Sequence, residues 1–202
     1  MKTFILKFSA AFLLLALLGA GCEKEEDGPW EISPQSKNPV ILKEVKGIEF
    51  KFCLLNEQGE PSTIFNEGEN FTFYFSVTNN RDEKLNFDPG FAYSNDVDFC
   101  EVYNVKNENI GRPFQLETAL DIGSGAYPFD KGETYVFEEQ WMDNRKSVWY
   151  WEKGTYVSTH QEPLIKGNYY TAFKCRFRFA RTHEEPALYT DTLNFKINFK
   201  IQ

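Results

Sequence analysis

Apolar and polar residues alternate in short runs along this chain. Ile48, Phe50, Phe52 and Leu54 fall on one side of an extended backbone, with Glu49 and Lys51 on the other. Phe71, Phe73, Phe75 and Val77 alternate with Thr72, Tyr74, Ser76 and Thr78. Two runs near the C-terminus are clearer still. Phe173, Cys175, Phe177 and Phe179 alternate with Lys174, Arg176 and Arg178, and Phe195, Ile197, Phe199 and Ile201 alternate with Lys196, Asn198 and Lys200. A period of two puts successive side chains on opposite faces of a strand, so each run predicts one buried and one wetted face. Such strands suit antiparallel sheets, and two sheets packed face to face give an all-β sandwich with a Phe-rich core. No window of comparable length has helical spacing.

Turn-forming clusters at 79–82, 88–90, 123–125 and 153–154 separate further strands expected at 84–87, 99–105, 135–141 and 148–151. One spacing recurs three times. Phe65, Phe129 and Leu164 each sit three residues before a glycine (Gly68, Gly132, Gly167), and Phe71, Tyr135 and Tyr170 sit three after it. A glycine free to take positive φ lets the chain turn tightly into a strand while the flanking apolar pair packs beneath. The copies are irregularly spaced, so this is repeated turn chemistry within one domain.

The run Asn66-Glu67-Gly68-Glu69-Asn70-Phe71-Thr72-Phe73-Tyr74-Phe75-Ser76-Val77-Thr78-Asn79-Asn80 resembles the opening of immunoglobulin-like modules of the BsuPI-type intracellular proteinase inhibitor family. Asp130-Lys131-Gly132-Glu133, followed by Tyr135, Phe137 and Trp141, resembles a later strand entry of the same kind. Lys166-Gly167-Asn168-Tyr169 before a long strand is common to many such sandwiches. The resemblance covers about half of the mature chain. It implies a single-domain, immunoglobulin-like antiparallel β-sandwich, and proteinase inhibition as one function to weigh. The chain departs from the family in its export segment and in extra sequence at about 88–128.

The N-terminus supplies an address. Lys2 and Lys7 flank an apolar run from Phe8 to Leu18, which ends in Leu18-Gly19-Ala20-Gly21-Cys22. That run is short for a bilayer span and is followed by small residues, as in a cleaved signal. Small residues before a single cysteine resemble a bacterial lipobox, with the leucine four residues before the cysteine rather than three. Cys22 is therefore the expected lipidation site, and several acyl chains anchor a protein stably where one binds reversibly. Residues 1–21 read as a lipoprotein signal peptide, 22–39 as an acidic, proline-containing tether (Pro29, Pro34, Pro39), and 40–202 as the sandwich domain. The acidic residues after Cys22 resemble a signal that sends lipoproteins to the outside of the outer membrane. The expected location is thus the outer membrane, lipid-anchored and exposed at the cell surface.

Charge narrows the partners. The formal net charge is −8, and loss of residues 1–21 removes two lysines and no acids, which makes it two units more negative. An acidic domain repels phosphates and anionic headgroups, so nucleic acid is not an expected partner and the lipid anchor is the expected membrane contact. Besides Cys22 the chain has Cys53, Cys100 and Cys175. The odd number leaves at least one thiol free under internal pairing, and whether any pair forms stays open.

Trp149-Tyr150-Trp151, with Tyr156 close behind, forms the candidate binding cluster. On a strand Trp149 and Trp151 share a face and Tyr150 takes the other, so at least one ring is exposed unless both faces are covered. Exposed rings stack on sugars or anchor protein partners, and core packing is the competing explanation in a chain with 17% aromatic residues. Asn95, Asp96, Asp98 and Glu101, near Asp88, offer oxygens of the type calcium prefers but match no complete calcium loop. His160 and His183 would suit metal binding or acid–base chemistry only if the fold joined them, and no GxSxG or HExxH run occurs. No catalytic residue, metal or cofactor is expected. Asp191-Thr192-Leu193 makes Thr192 a candidate O-glycosylation site, whereas the Asn70-Phe71-Thr72 sequon falls on an expected strand. The resulting expectation is a non-catalytic binding or accessory module for a glycan or protein. A BsuPI-like proteinase inhibitor is the first alternative and a hydrolase the second.

Overall fold

The alternating runs become strands in a computed structural model, which describes residues 29–93, 96–116, 126–143, 147–150, 154–181 and 186–202. In chain order these are β1 (Trp30–Ile32), β2 (Val40–Val45), β3 (Ile48–Leu55), β4 (Ile64–Phe65) and β5 (Thr72–Asn79). Next come β6 (Leu85–Phe87), β7 (Val102–Asn104), β8 (Asn109–Gly111), β9 (Phe114–Leu116) and β10 (Tyr127–Phe129). The last are β11 (Thr134–Gln140), β12 (Ser147–Tyr150), β13 (Gly154–Ser158), β14 (Gly167–Ala180) and β15 (Leu188–Ile201). Among the described residues the one helical piece is a 3-10 turn at Gly90–Tyr93, and no helix is long and apolar enough to cross a membrane.

One sheet runs in the order β11-β5-β3-β2, antiparallel throughout. The facing sheet is built on the β14–β15 hairpin, with β6 and β7 antiparallel to β14 and the short β1 and β4 parallel to β15. The result is an all-β, immunoglobulin-like antiparallel sandwich. β3, β5 and β11 occupy one sheet and β6, β14 and β15 the other, as strands A, B and E oppose C, F and G in immunoglobulin domains. A third, three-stranded sheet in the order β12-β13-β9 lies outside these two.

The inner faces meet through phenylalanine rings. Phe50 and Phe177 stand 4.8 Å apart between centroids, Phe52 and Phe173 5.3 Å, and Phe75 and Phe195 5.4 Å. Phe75 is fully buried and lies within 6.4 Å of Phe50, Phe52, Phe91, Phe99, Phe137, Phe173, Phe177 and Phe195. Phe91 and Phe99 come from the extra sequence after residue 88, which therefore adds to the core.

Several expectations need correction. The strand expected at 99–105 is only Val102–Asn104, because Phe99 and Cys100, both buried, lie in a turn ahead of it. The chain turns there, with Cys100 at φ 67°. The three glycine corners also divide. Gly68 and Gly132 have φ of 86° and 76°, and in both turns a glutamate accepts the N–H of the residue three before it, at 2.8 Å from Asn66 to Glu69 and 2.7 Å from Asp130 to Glu133. Gly167 instead begins β14 and has no positive φ, and Asn168 stands where the other two corners have a glutamate.

The stretch expected as a tether joins the sandwich at Trp30. β1 pairs in parallel with residues 195–197 of β15, and Trp30 meets Phe195 edge to face at 5.1 Å. Ile32 is buried, while Glu31 pairs with Lys196 at 2.9 Å and accepts from Asn198 at 2.7 Å. Trp30, Glu31 and Ile32 carry the period of two in miniature, and the free edge of β15 supplies the backbone partners. Phe75→Ala should lower unfolding stability by about 3–5 kcal/mol in denaturant melts, the cost of a cavity at the centre of packed rings. A loss below about 1 kcal/mol would remove Phe75 from that central place.

Candidate functional site

Polar side chains gather at one end of the sandwich, where β3 leaves, β5 enters and β11 leaves. Leu55, Asn56, Glu57, Gly59, Asn70, Thr72, Glu138, Gln140 and Asp143 line an open groove of about 590 Å³ there. The Asn56 side chain builds one wall. Its Oδ1 accepts the N–H groups of Gln58 at 3.0 Å and Glu60 at 2.8 Å, closing a tight loop whose Gly59 has φ 78°. Asn70 anchors the floor. Its Oδ1 accepts from Met142 N at 2.9 Å and Phe71 N at 3.0 Å, its Nδ2 donates to the Met142 carbonyl at 3.2 Å, and its N–H donates to Glu57 at 3.2 Å.

Asn70 is shared with a second groove of about 290 Å³, lined by Met142, His160, Gln161, Glu162 and Pro163. Trp141 holds this segment to the core. Its buried ring stacks on Phe71 at 5.8 Å and its Nε1 donates to the Glu162 carbonyl at 2.9 Å. Gln161 in turn borders a third groove of about 310 Å³ with Glu101, Asn109, Gly111, Arg112, Phe114, Gln115 and Thr159. Its Nε2 donates to the Arg112 carbonyl at 3.1 Å and to Thr159 at 2.8 Å, while the Arg112 guanidinium lies 4.9 Å over the Phe114 ring. Neighbouring grooves share Asn70 and Gln161 in their linings, so the three lie side by side as a segmented trough. The side chains of Glu138, Gln140, Gln115 and His160 make no hydrogen bond among the described residues and present free donors and acceptors to it.

His160 departs from ordinary backbone geometry, with φ 50°. Its N–H donates to Ser158 Oγ at 3.2 Å, and that hydroxyl donates to the Asp143 carbonyl at 2.5 Å, which fixes the turn beside the groove. A left-handed conformation at a residue other than glycine is uncommon and recurs at binding sites.

The aromatic candidates occupy the small outer sheet next to this trough. Trp149 and Tyr150 lie on β12 and Tyr156 on β13, with Trp149 opposite Thr155 and Tyr156 opposite Leu116 in register. β13 runs on into Thr159, His160 and Gln161, and β9 carries Phe114 and Gln115. Tyr156 precedes Thr159 by three residues, whereas Trp149 and Tyr150 lie opposite Thr155 and Gly154, at the end of β13 farther from the polar residues. Trp151, Cys22, Asn95 and His183 lie outside the described residues.

Other candidates are dispersed. Glu101 accepts from Tyr103 at 2.7 Å and Asn109 at 2.6 Å, and Asp88 accepts from Gly90 N at 2.9 Å. The Asp98 carboxyl is raised above its ordinary value by desolvation and then by the Glu101 charge. Among the described residues no three His, Cys, Asp or Glu side chains gather as metal ligands. Thr192 is exposed on β15 beside the exposed Asp191 and the buried Leu193. Asn70, expected on a strand, precedes β5, which begins at Thr72, and its side chain is bonded to Met142.

Sequence reasoning did not single out Gln161, Gln140, Arg112 or Glu57. Polar residues in irregular segments carry no periodic signal, and they become a site only when three separate loops converge. The one local sign was Trp141, a large apolar residue at the end of an alternating run.

No family model matches this sequence, and no curated protein matches it. Among solved structures the chain is similar to a family 123 glycoside hydrolase from Clostridium perfringens, studied for glycolipid glycan hydrolysis. The identity is 8%, the match covers 76% of this chain and 27% of that chain, and the TM-score is 0.25. A likeness this slight assigns neither fold nor activity.

Cys53, Cys100 and Cys175 are free thiols. Desolvation pushes Cys53 up to about 11 and Cys175 up to about 12, and raises Cys100 well above the ordinary thiol value. The thiolate is the reactive form, so the folded protein should resist alkylation at these three positions near neutral pH and label there rapidly in denaturant. Mass spectrometry after iodoacetamide treatment reads this directly, and rapid native labelling at Cys53 or Cys100 would contradict their burial.

Proposed function

We propose that this chain is an outer-membrane lipoprotein, anchored through Cys22 and displayed at the cell surface, whose sandwich is a non-catalytic binding or accessory module for a glycan or protein. The carrying observation is the row of three neighbouring polar grooves at the end of the sandwich, into which β9 and β13 of the outer sheet lead. Amides, carboxylates and an imidazole offer both donors and acceptors to the hydroxyl groups of a glycan or the polar groups of a protein partner. Binding sites on antiparallel sandwiches are carried by loops at the ends of the sheets, which a rigid core holds in place. The Lys2-to-Cys22 segment supports the anchor reading, and β1 begins the packed domain eight residues after Cys22.

A glycan array combined with surface pull-down tests the ligand. Gln161→Ala, and separately Trp149→Ala with Trp151→Ala, should weaken ligand retention at least about tenfold while leaving the melting temperature within a few degrees. Retention unchanged in both variants would reject this end of the sandwich as the site. Cys22→Ser should move the protein from the membrane fraction to the soluble fraction, and protein that stayed with the membrane would reject the lipid anchor.

A further inference from the structure

The outward face of the β14–β15 hairpin carries charge of the opposite sign to the chain as a whole. Lys174, Arg176 and Arg178 are exposed at alternate positions of β14, and Lys196 and Lys200 point to the same side from β15 through their register with Ala172 and Asn168. Alternate residues of a strand stand roughly 6.6–6.8 Å apart, so β14 presents a row of three regularly spaced cations.

Acids flank the row and are engaged elsewhere: Glu101 accepts from Tyr103, the β7 partner of Tyr170, at 2.7 Å, and Asp88, which follows the Phe87 partner of Phe179, accepts from Gly90 N at 2.9 Å. Glu31 is taken up by Lys196 and Asn198, which hold its carboxyl below the ordinary glutamate value, and Asp191 lies at the bulge opposite Arg176–Arg178. Among the described residues the side chains of Lys174, Arg178 and Lys200 make no ion pair or hydrogen bond. Like charges aligned on one face repel one another. In a chain of net charge −8, with abundant acids, three unpaired cations on one face form a local excess.

Aromatic rings are interleaved with the row. The Arg176 guanidinium lies 4.6 Å over the ring of Tyr189, which is 39% exposed, and Arg176 Nε donates to the Thr190 carbonyl at 3.3 Å. At the other end the Lys196 ammonium lies 5.2 Å from the Tyr170 ring, itself stacked on Tyr103 at 5.1 Å. A guanidinium held over a ring and bonded through Nε is restricted in orientation, and its two terminal amino groups remain to meet a carboxylate or a sulfate.

We propose that this face binds an acidic polysaccharide, a linear glycan bearing carboxylates or sulfates, laid along β14 with its anionic groups at Lys174, Arg176 and Arg178. The inference rests on the surface-binding reading above and adds the ligand class and a second face. Charge complementarity selects the partner. A single polymer strand meets only the basic row, whereas an anionic bilayer or a nucleic acid duplex also meets the negative field of the rest of the chain.

The test uses the full chain in detergent, with immobilised chondroitin sulfate and polygalacturonate, uncharged dextran, vesicles containing phosphatidylglycerol, and duplex DNA. Binding to at least one acidic glycan should weaken as salt rises, and should fall at least about tenfold in Lys174→Gln with Arg178→Gln at an unchanged melting temperature. Both side chains are exposed and unpartnered, so these substitutions leave the core intact. Gln161→Ala should leave acidic-glycan binding unaltered. No binding to either acidic glycan, equal binding by the double variant, or tighter binding to vesicles or DNA would each overturn the proposal. Array binding of neutral glycans that depends on Gln161, without any binding of acidic glycans, would overturn this inference and leave the proposed module standing.

Discussion

Packing of phenylalanine rings between the two main sheets is the constraint on which the rest of the structure depends. Phe75 touches rings from both sheets and from the extra segment that supplies Phe91 and Phe99, so each layer is positioned against the same side chain. Interiors of this kind are close-packed, and a change at the centre is felt at the periphery. Asn79 shows how polar groups are accommodated at the rim. It is fully buried, donates to the carbonyls of Glu83 and Phe129 at 3.0 and 2.8 Å, accepts from Arg81 N at 3.0 Å, and so ties two turns to β5. Its hydrogen bonds offset the cost of removing an amide from water.

That rigid centre explains why function falls to the ends and outer faces. The trough is assembled by segments entering and leaving the sheets, held by Asn70 to the start of β5 and by Trp141 to the core beneath. The basic row on β14 follows from the same alternation that buries Phe173, Phe177 and Phe179, because every second residue of that strand must face water. One sequence pattern therefore builds the core and the charged face together. The two surfaces differ in kind. The trough offers mixed donors and acceptors from loops, while the strand offers a fixed spacing of a single charge.

Long alternating runs were legible because burial on one face acts on every second residue, and β3, β5, β14 and β15 follow it over most of their eight to fourteen residues, with breaks at Cys53, Ser76 and Asp191–Thr192. Short strands were not. β1, β4, β8 and β10 have two or three residues each and exist because a neighbouring strand offers unpaired backbone groups. Trp30 illustrates the limit, since it sits in a proline-containing, charged stretch that composition marks as a tether, yet Phe195 gives it a ring to pack against. Cys53 is the converse case. It lies on the wetted face of β3 by period, between Val40 and Tyr74 of the adjacent strands, and is nonetheless fully buried.

For the candidate site, sequence alone proposed the aromatic cluster around Trp149 and Tyr156 and passed over the polar residues of the grooves. Side-chain chemistry at 56–57, 70, 112, 138–140 and 159–162 is ordinary at each position, and its meaning comes from convergence of loops far apart in the chain. By itself the sequence determined an all-β sandwich, its phenylalanine core and the alternation that exposes Lys174, Arg176 and Arg178, because these depend on local period and on the free energy of burying apolar surface. Only the tertiary structure decided that Trp30 belongs to a sheet, that Cys53 is buried, and that Asn70 and Gln161 are shared between neighbouring grooves, because strand pairing and loop convergence are set by partners distant in sequence.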